Sequence, residues 1–110
     1  MLIALVPVAL AVWAFLIEPN RLIVHYETIV VSSPNSNSHP LRIAAIGDIH
    51  AGSPFINVRK LKQIVELTNS QQPDLIVLLG DYMVRTNLYQ TLIEPEITAG
   101  VLKDLHAPLG

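Results

Sequence analysis

The chain has 110 residues, 51% of them hydrophobic and 15% charged, which suits one small domain and excludes intrinsic disorder. Seven Lys and Arg against nine Asp and Glu give a net charge of −2, so the basic surface of a nucleic-acid-binding protein is missing and no nucleic-acid partner is indicated. The absence of Cys excludes disulfide frameworks, thiolate zinc sites and cysteine nucleophiles.

The first predicted element is an apolar helix over residues 1–17, where no residue is charged. Such a helix extends about 25 Å, slightly less than the roughly 30 Å of a bilayer's hydrocarbon core. Trp13 is suited to a membrane interface, and Arg21 supplies the first cation after the helix. We therefore expect residues 1–18 to form an uncleaved membrane anchor rather than a cleaved signal, because no basic region precedes the apolar run. A buried soluble helix is the remaining alternative.

Residues 19–40 are predicted to contain a first strand and a polar loop. The strand is placed at residues 21–31, which alternate loosely and are rich in β-branched and aromatic side chains. Residues 32–40 consist mainly of Ser, Asn and Pro, a composition typical of a loop without a packing face.

Two short apolar runs, at residues 41–47 and 75–79, are predicted to form buried strands, and each is closed by Gly-Asp. Between them, residues 57–70 change to the helical period, with Asn57 as the N-cap. A strand, a helix and a second strand of this kind form a right-handed crossover with parallel strands.

The last predicted helix covers residues 94–106, with Pro95 in its first turn. Residues 107–110 are predicted to approach a further strand.

Asp48 and Asp81 are the residues that carry chemistry, because side chains converge beyond the carboxyl ends of neighbouring parallel strands. Adjacent strands lie about 4.8 Å apart, so two carboxylates at the same level reach one cation. His50 stands two residues after Asp48, which in extended backbone places both side chains on one side. This mixed oxygen and nitrogen set favours Mn²⁺, Fe or Zn²⁺ over Ca²⁺. Taken singly, each carboxylate is compatible with an ordinary turn or helix cap.

These motifs resemble the calcineurin-like metallophosphoesterase superfamily. Its first signature, Asp-x-His with a trailing Gly, is matched by Gly-Asp-Ile-His-Ala-Gly at residues 47–52, and its second by Gly-Asp at residues 80–81. The hydrophobic start and the stretch over residues 41–110 are similar to its membrane-associated bacterial YaeI/YkuE-like branch. The resemblance implies an α/β fold in which residues 41–110 are the N-terminal portion of an α/β/β/α sandwich, preceded by a membrane helix.

The same resemblance implies a centre of two divalent metal ions in which Asp48 and His50 bind the first ion and Asp81 bridges both. The implied activity is hydrolysis of a phosphoric ester, either a phosphodiester or a lipid-linked phosphate or pyrophosphate, at a bacterial cytoplasmic membrane reached through residues 1–17. No residue beyond the metal ligands is assigned a catalytic role. The family's Gly-Asn-His signature and later His ligands have no counterpart in the 110 residues, so we expect an N-terminal fragment with little or no turnover by itself.

Two non-enzymatic alternatives remain open at this point. The first is a receiver-like or flavodoxin-like module in which strand-end carboxylates hold one Mg²⁺ without dependence on His50. The second is a membrane-tethered relative that acts by interaction alone.

Overall fold

The computed structural model describes residues 2–32, 39–84 and 92–110, and for residues 2–4 it describes the backbone only. Most of the polar loop predicted at residues 32–40 lies outside the described residues. The chain divides into two units, Met1–Val31 and Ser32–Gly110.

The first unit is helical at its start. An α-helix, α1 (Leu2–Val12), is followed by a π-helical turn at Trp13–Ile17 and a 3₁₀ turn at Glu18–Asn20. The helical stretch ends at this last turn, where Pro19 lacks the N–H that would continue it. Among the residues that the structure describes, no helix is long and apolar enough to cross a membrane.

The strand predicted at residues 21–31 is not found: in the structure these residues form neither helix nor strand. A strand requires a neighbour that completes its backbone hydrogen bonds. In the described part of the chain, the sheet consists of two strands that both lie in the second unit. The β-branched composition of residues 21–31 therefore reflects propensity without a pairing partner.

The second unit contains the predicted crossover. Strands β1 (Ile43–Ile46) and β2 (Leu75–Leu78) pair in parallel, with Ile43 opposite Leu75 and Ile46 opposite Leu78. Both strands are shorter than the apolar runs that predicted them. Their parallel pairing confirms the predicted arrangement, but the predicted burial is wrong, because every residue of both strands is half-buried or exposed.

Helix α2 (Val58–Ser70) joins the two strands and confirms the predicted helix. Asn57 has extended backbone angles, and its Oδ1 accepts a hydrogen bond from the Lys60 amide at 2.9 Å, as an N-cap does. The helix buries one face, formed by Leu61, Val65 and Thr68.

Helix α3 (Pro95–Leu102) begins at the predicted Pro but ends four residues before the predicted end at residue 106. After Leu102 the backbone tightens, since the Leu105 amide donates to the Leu102 carbonyl. Asn69 of α2 then holds this segment: its Nδ2 donates to the Asp104 carbonyl at 2.9 Å and its Oδ1 accepts from the His106 amide at 3.2 Å. These bonds replace those of a further helical turn.

The chain after α3 returns to the edge of β2 that β1 leaves free. The Leu109 amide donates to the Asp74 carbonyl at 2.8 Å, and the Ile76 amide donates to the Gly110 carbonyl at 2.7 Å. Residues 107–110 thus reach the sheet, and the further strand that they are predicted to approach stays a prediction.

The hydrophobic core lies between α2, α3 and the segment that follows β1. Its buried members are Ile49, Ala51, Leu61, Val65, Ile93 and Val101. Because Ile49 and Ala51 come from the loop beyond β1, this loop is built into the core.

Candidate metal centre

The two chain segments that follow β1 and β2 remain hydrogen-bonded beyond the ends of the strands. The His50 amide donates to the Asp81 carbonyl at 3.0 Å, and the Ala51 amide donates to the Tyr82 carbonyl at 2.8 Å. Ala51 and Met83 form a parallel bridge. These bonds fix the loop that holds Asp48 and His50 against the loop that holds Asp81.

The side chains of Asp48, His50 and Asp81 converge at the carboxyl ends of the strands, where the sequence placed them. His50 Nε2 lies 3.2 Å from Asp81 Oδ2 and 4.0 Å from Asp48 Oδ1. One ligand atom from each residue lies within 4.8 Å of the other two. Ligand atoms about 2.0–2.2 Å from a common ion lie roughly 3–4 Å apart, so a small movement of the exposed carboxylates completes the set.

The cluster faces solvent. The Asp48 side chain is 86% exposed, that of Asp81 58% and that of His50 44%. Exposure leaves room for water or a substrate group beside a bound ion, as a catalytic metal requires and a closed structural site does not. The imidazole nitrogen of His50 and the two carboxylates form a mixed nitrogen and oxygen donor set that fits a divalent ion.

All three ligands have left-handed backbone. The φ angles are 51° at Asp48, 46° at His50 and 50° at Asp81, and Gln72 is the remaining non-glycine residue with positive φ in the described chain. This conformation costs a residue with a Cβ about 1–2 kcal/mol. The extended backbone expected between Asp48 and His50 is therefore wrong, although the two side chains do meet. The tight turns direct both ligands outward while Ile49, between them, is buried.

Glycine serves the turn before Asp81. Gly80 has a φ of +99°, which L side chains rarely adopt, so this position requires the freedom of glycine. The structure also shows a contact that sequence reasoning left without a role: the Tyr82 hydroxyl donates to the Leu78 carbonyl at 3.3 Å and spans the turn that carries Asp81. No pattern in the sequence signals this bond.

Within the second unit, His106 follows α3, where its ring Nδ1 lies 3.3 Å from the Asp104 carbonyl oxygen. In the described ranges, Asp48, His50 and Asp81 form the group able to hold a metal ion.

Comparisons with known proteins agree with this geometry. The family model described as calcineurin-like phosphoesterase matches residues 41–107, which include all three ligands. The chain is 34% identical over 104 residues to the UDP-2,3-diacylglucosamine pyrophosphatase LpxG of Chlamydia trachomatis, covering 94% of this chain and 30% of LpxG. It is 39% identical over 59 residues to the putative metallophosphoesterase F40B5.2 of Caenorhabditis elegans, covering 54% of this chain and 12% of that protein. The chain thus spans less than a third of either relative, and no solved structure matches it significantly.

Proposed function

The chain belongs to the calcineurin-like phosphoesterase family, and from this premise we propose that it forms the first metal-binding segment of a metal-dependent phosphoric ester hydrolase. The observation that carries the proposal is the convergence of Asp48, His50 and Asp81 within 4.8 Å at the ends of two parallel strands. The family match supports the hydrolase class, and the donor chemistry supports a divalent metal cofactor.

Each ligand has a distinct part in the proposed centre. Asp48 and His50 hold the first of two divalent ions, and Asp81 offers its carboxylate to both. Two ions of this kind, Mn, Fe or Zn, neutralise phosphoryl oxygens and supply the attacking nucleophile from water. The chain contributes two carboxylates and one imidazole, so two divalent ions at the proposed centre would leave a net charge of about +2 to attract a phosphate.

These residues by themselves are proposed to bind metal with little turnover. The 110-residue sequence contains no Gly-Asn-His motif, which the family resemblance implies for transition-state stabilisation. The alternative function is a membrane-tethered metal-binding or interaction module, favoured by a cluster of three exposed ligands within one small segment.

The substrate that we propose is a lipid-linked phosphate or pyrophosphate, with a simple phosphodiester as the alternative. Two observations support it. The name of LpxG describes a pyrophosphatase whose substrate carries two acyl groups. In the first unit, every residue from 5 to 18 is exposed, and those from 5 to 17 are all apolar. A helix that is apolar on every face requires an apolar surrounding, so we propose that residues 1–17 associate with the bacterial cytoplasmic membrane.

Hydrolysis of bis(p-nitrophenyl) phosphate by the protein purified from its native source tests the activity, with the intact mass of that protein measured alongside. We expect hydrolysis to require Mn²⁺ and to fall at least about a hundredfold in Asp81→Asn, since a lost metal ligand costs more than the 10–100-fold of a lost outer partner. Asp104→Asn, an exposed acidic residue outside the cluster, is the matched control. Measurable turnover that is equal in the wild type and Asp81→Asn would falsify the proposal.

A further inference from the structure

A cleft of about 440 Å³ begins at the residue that follows Asp81. Its described walls are residues 82–84 and residues 92–95. Apart from Glu94, the wall residues are aliphatic or aromatic: Tyr82, Met83, Val84, Leu92, Ile93 and Pro95. The volume falls within the range of small-molecule sites, about 300–1,000 Å³.

The cleft lies next to the candidate metal centre along the chain, because Tyr82 in its wall directly follows Asp81. One wall contains Met83, which forms a parallel bridge with Ala51, the residue after His50. Tyr82 alone separates Met83 from Asp81, so the Cα atoms of these two residues lie at most about 7 Å apart. A molecule whose phosphate lies at the ligands therefore reaches the cleft within a few bonds.

The chemistry of the described walls disfavours a second anion and favours hydrocarbon. They include the acidic residue Glu94 and, in the described ranges, no Lys, Arg or His. Leu92 is 67% exposed and Tyr82 is 37% exposed, so apolar surface faces solvent beside a polar centre. Burial of such surface by an alkyl chain is favourable in proportion to the area covered.

We infer that the cleft binds the hydrocarbon part of an amphiphilic phosphoester whose phosphate is held at Asp48, His50 and Asp81. The inference rests on the proposed function and deepens it. It assigns recognition of the apolar group to residues 82–84 and 92–95, and recognition of the phosphate to the metal centre.

Binding of two phosphate monoesters to the full 110-residue chain in lipid nanodiscs tests the inference. The probes are methyl phosphate and octyl phosphate below its micelle concentration, with Zn²⁺ present because it is diamagnetic. The sequence contains two Met, so in protein labelled at the Met methyl groups the Met83 signal reports occupancy of the cleft. Each buried methylene strengthens binding roughly fourfold, so partial burial of the octyl chain gives at least about tenfold tighter binding than methyl phosphate.

Two variants distinguish the cleft from other apolar surface. Leu92→Asp is expected to reduce the preference for octyl phosphate to threefold or less while the affinity for methyl phosphate stays unchanged. Leu109→Asp is the matched control, because Leu109 is 66% exposed and lies outside the cleft. We expect it to keep the preference.

Several outcomes overturn the inference. The first is that both variants reduce the octyl preference equally. The second is that octyl phosphate does not shift the Met83 signal. The third is that the Met83 signal shifts with protein concentration alone, because the cleft is then covered by a second copy. If methyl phosphate fails to bind in a Zn²⁺-dependent manner, the proposed function itself fails. If methyl phosphate binds without a chain-length preference, the metal centre stands and the cleft assignment alone is wrong.

Discussion

His50 Nε2 lies 3.2 Å from Asp81 Oδ2, although the whole of α2 separates the two residues in the sequence. The parallel pairing of β1 and β2 causes this proximity, because it brings the segments beyond both strands to one edge of the sheet. The pairing therefore determines which side chains form the candidate metal site.

His50→Ala is expected to weaken Zn²⁺ and Mn²⁺ binding at least about tenfold, because it removes the nitrogen donor from a three-residue set. Isothermal titration with each metal measures the effect. His106→Ala serves as control, since that ring lies beyond α3 and outside the cluster. Unchanged affinity in His50→Ala would support the receiver-like alternative, in which carboxylates alone hold Mg²⁺.

Asp48→Gly and Asp48→Ala both remove the same candidate ligand, but the two variants are expected to differ in their free energy of unfolding. At a φ of 51°, Ala keeps the steric cost of a left-handed residue and Gly does not, so Ala is less stable by about 1 kcal/mol. Urea unfolding without metal measures the difference. The same pair at Gln72, whose φ is 50°, is the control: it shows the same order of stability and leaves metal affinity unchanged. Equal stability of the two Asp48 variants contradicts the strained-loop interpretation.

Asp74→Ala is expected to destabilise the fold without weakening metal binding. The Asp74 carboxylate accepts a hydrogen bond from the Arg42 amide at 2.8 Å, at the opposite end of the strands from the ligands. Its loss lowers the free energy of unfolding by about 1 kcal/mol, whereas Asp74→Asn keeps an acceptor oxygen and most of the stability. Urea unfolding and metal titration on the same samples separate the two effects. The prediction is contradicted if Asp74→Ala binds metal more weakly under conditions in which the variant is fully folded.

The double variant Leu10→Lys/Phe15→Lys is expected to reduce binding to vesicles of bacterial phospholipids at least tenfold. Leu10 is 63% exposed and Phe15 is 72% exposed, and two charges on this apolar segment oppose its entry into hydrocarbon. Co-sedimentation with vesicles measures binding. Leu79→Lys/Leu109→Lys changes two equally exposed residues of the second unit and is expected to bind as the wild type does. Equal binding of both double variants disproves the proposed role of residues 1–17.

The sequence predicted the elements whose signals are local. The N-cap at Asn57, the helical period after it and the two Gly-Asp endings depend on near neighbours, and the structure contains all of them. Convergence of Asp48, His50 and Asp81 followed from the crossover topology. The strand predicted at residues 21–31 failed because strand propensity acts only where a partner edge is present.

Two features depended on tertiary contacts that no local pattern contains. Helix α3 ends at Leu102 because Asn69 of α2 bonds the backbone that follows. The left-handed φ of His50 depends on hydrogen bonds to the segment after β2. Histidine has no strong preference for left-handed backbone, so the sequence does not predict this conformation.

Ile49 is 4% exposed and Ala51 is 1% exposed, so the ligand loop is anchored on both sides of His50. The amides of His50 and Ala51 donate to the segment beyond β2, and their exchange with solvent deuterium therefore requires opening of the core itself. The loop therefore loses its conformational entropy when the domain folds, and not when an ion binds. The proposed metal site is therefore pre-organised, and we expect a mutation that loosens the core to weaken ion affinity without changing a candidate ligand.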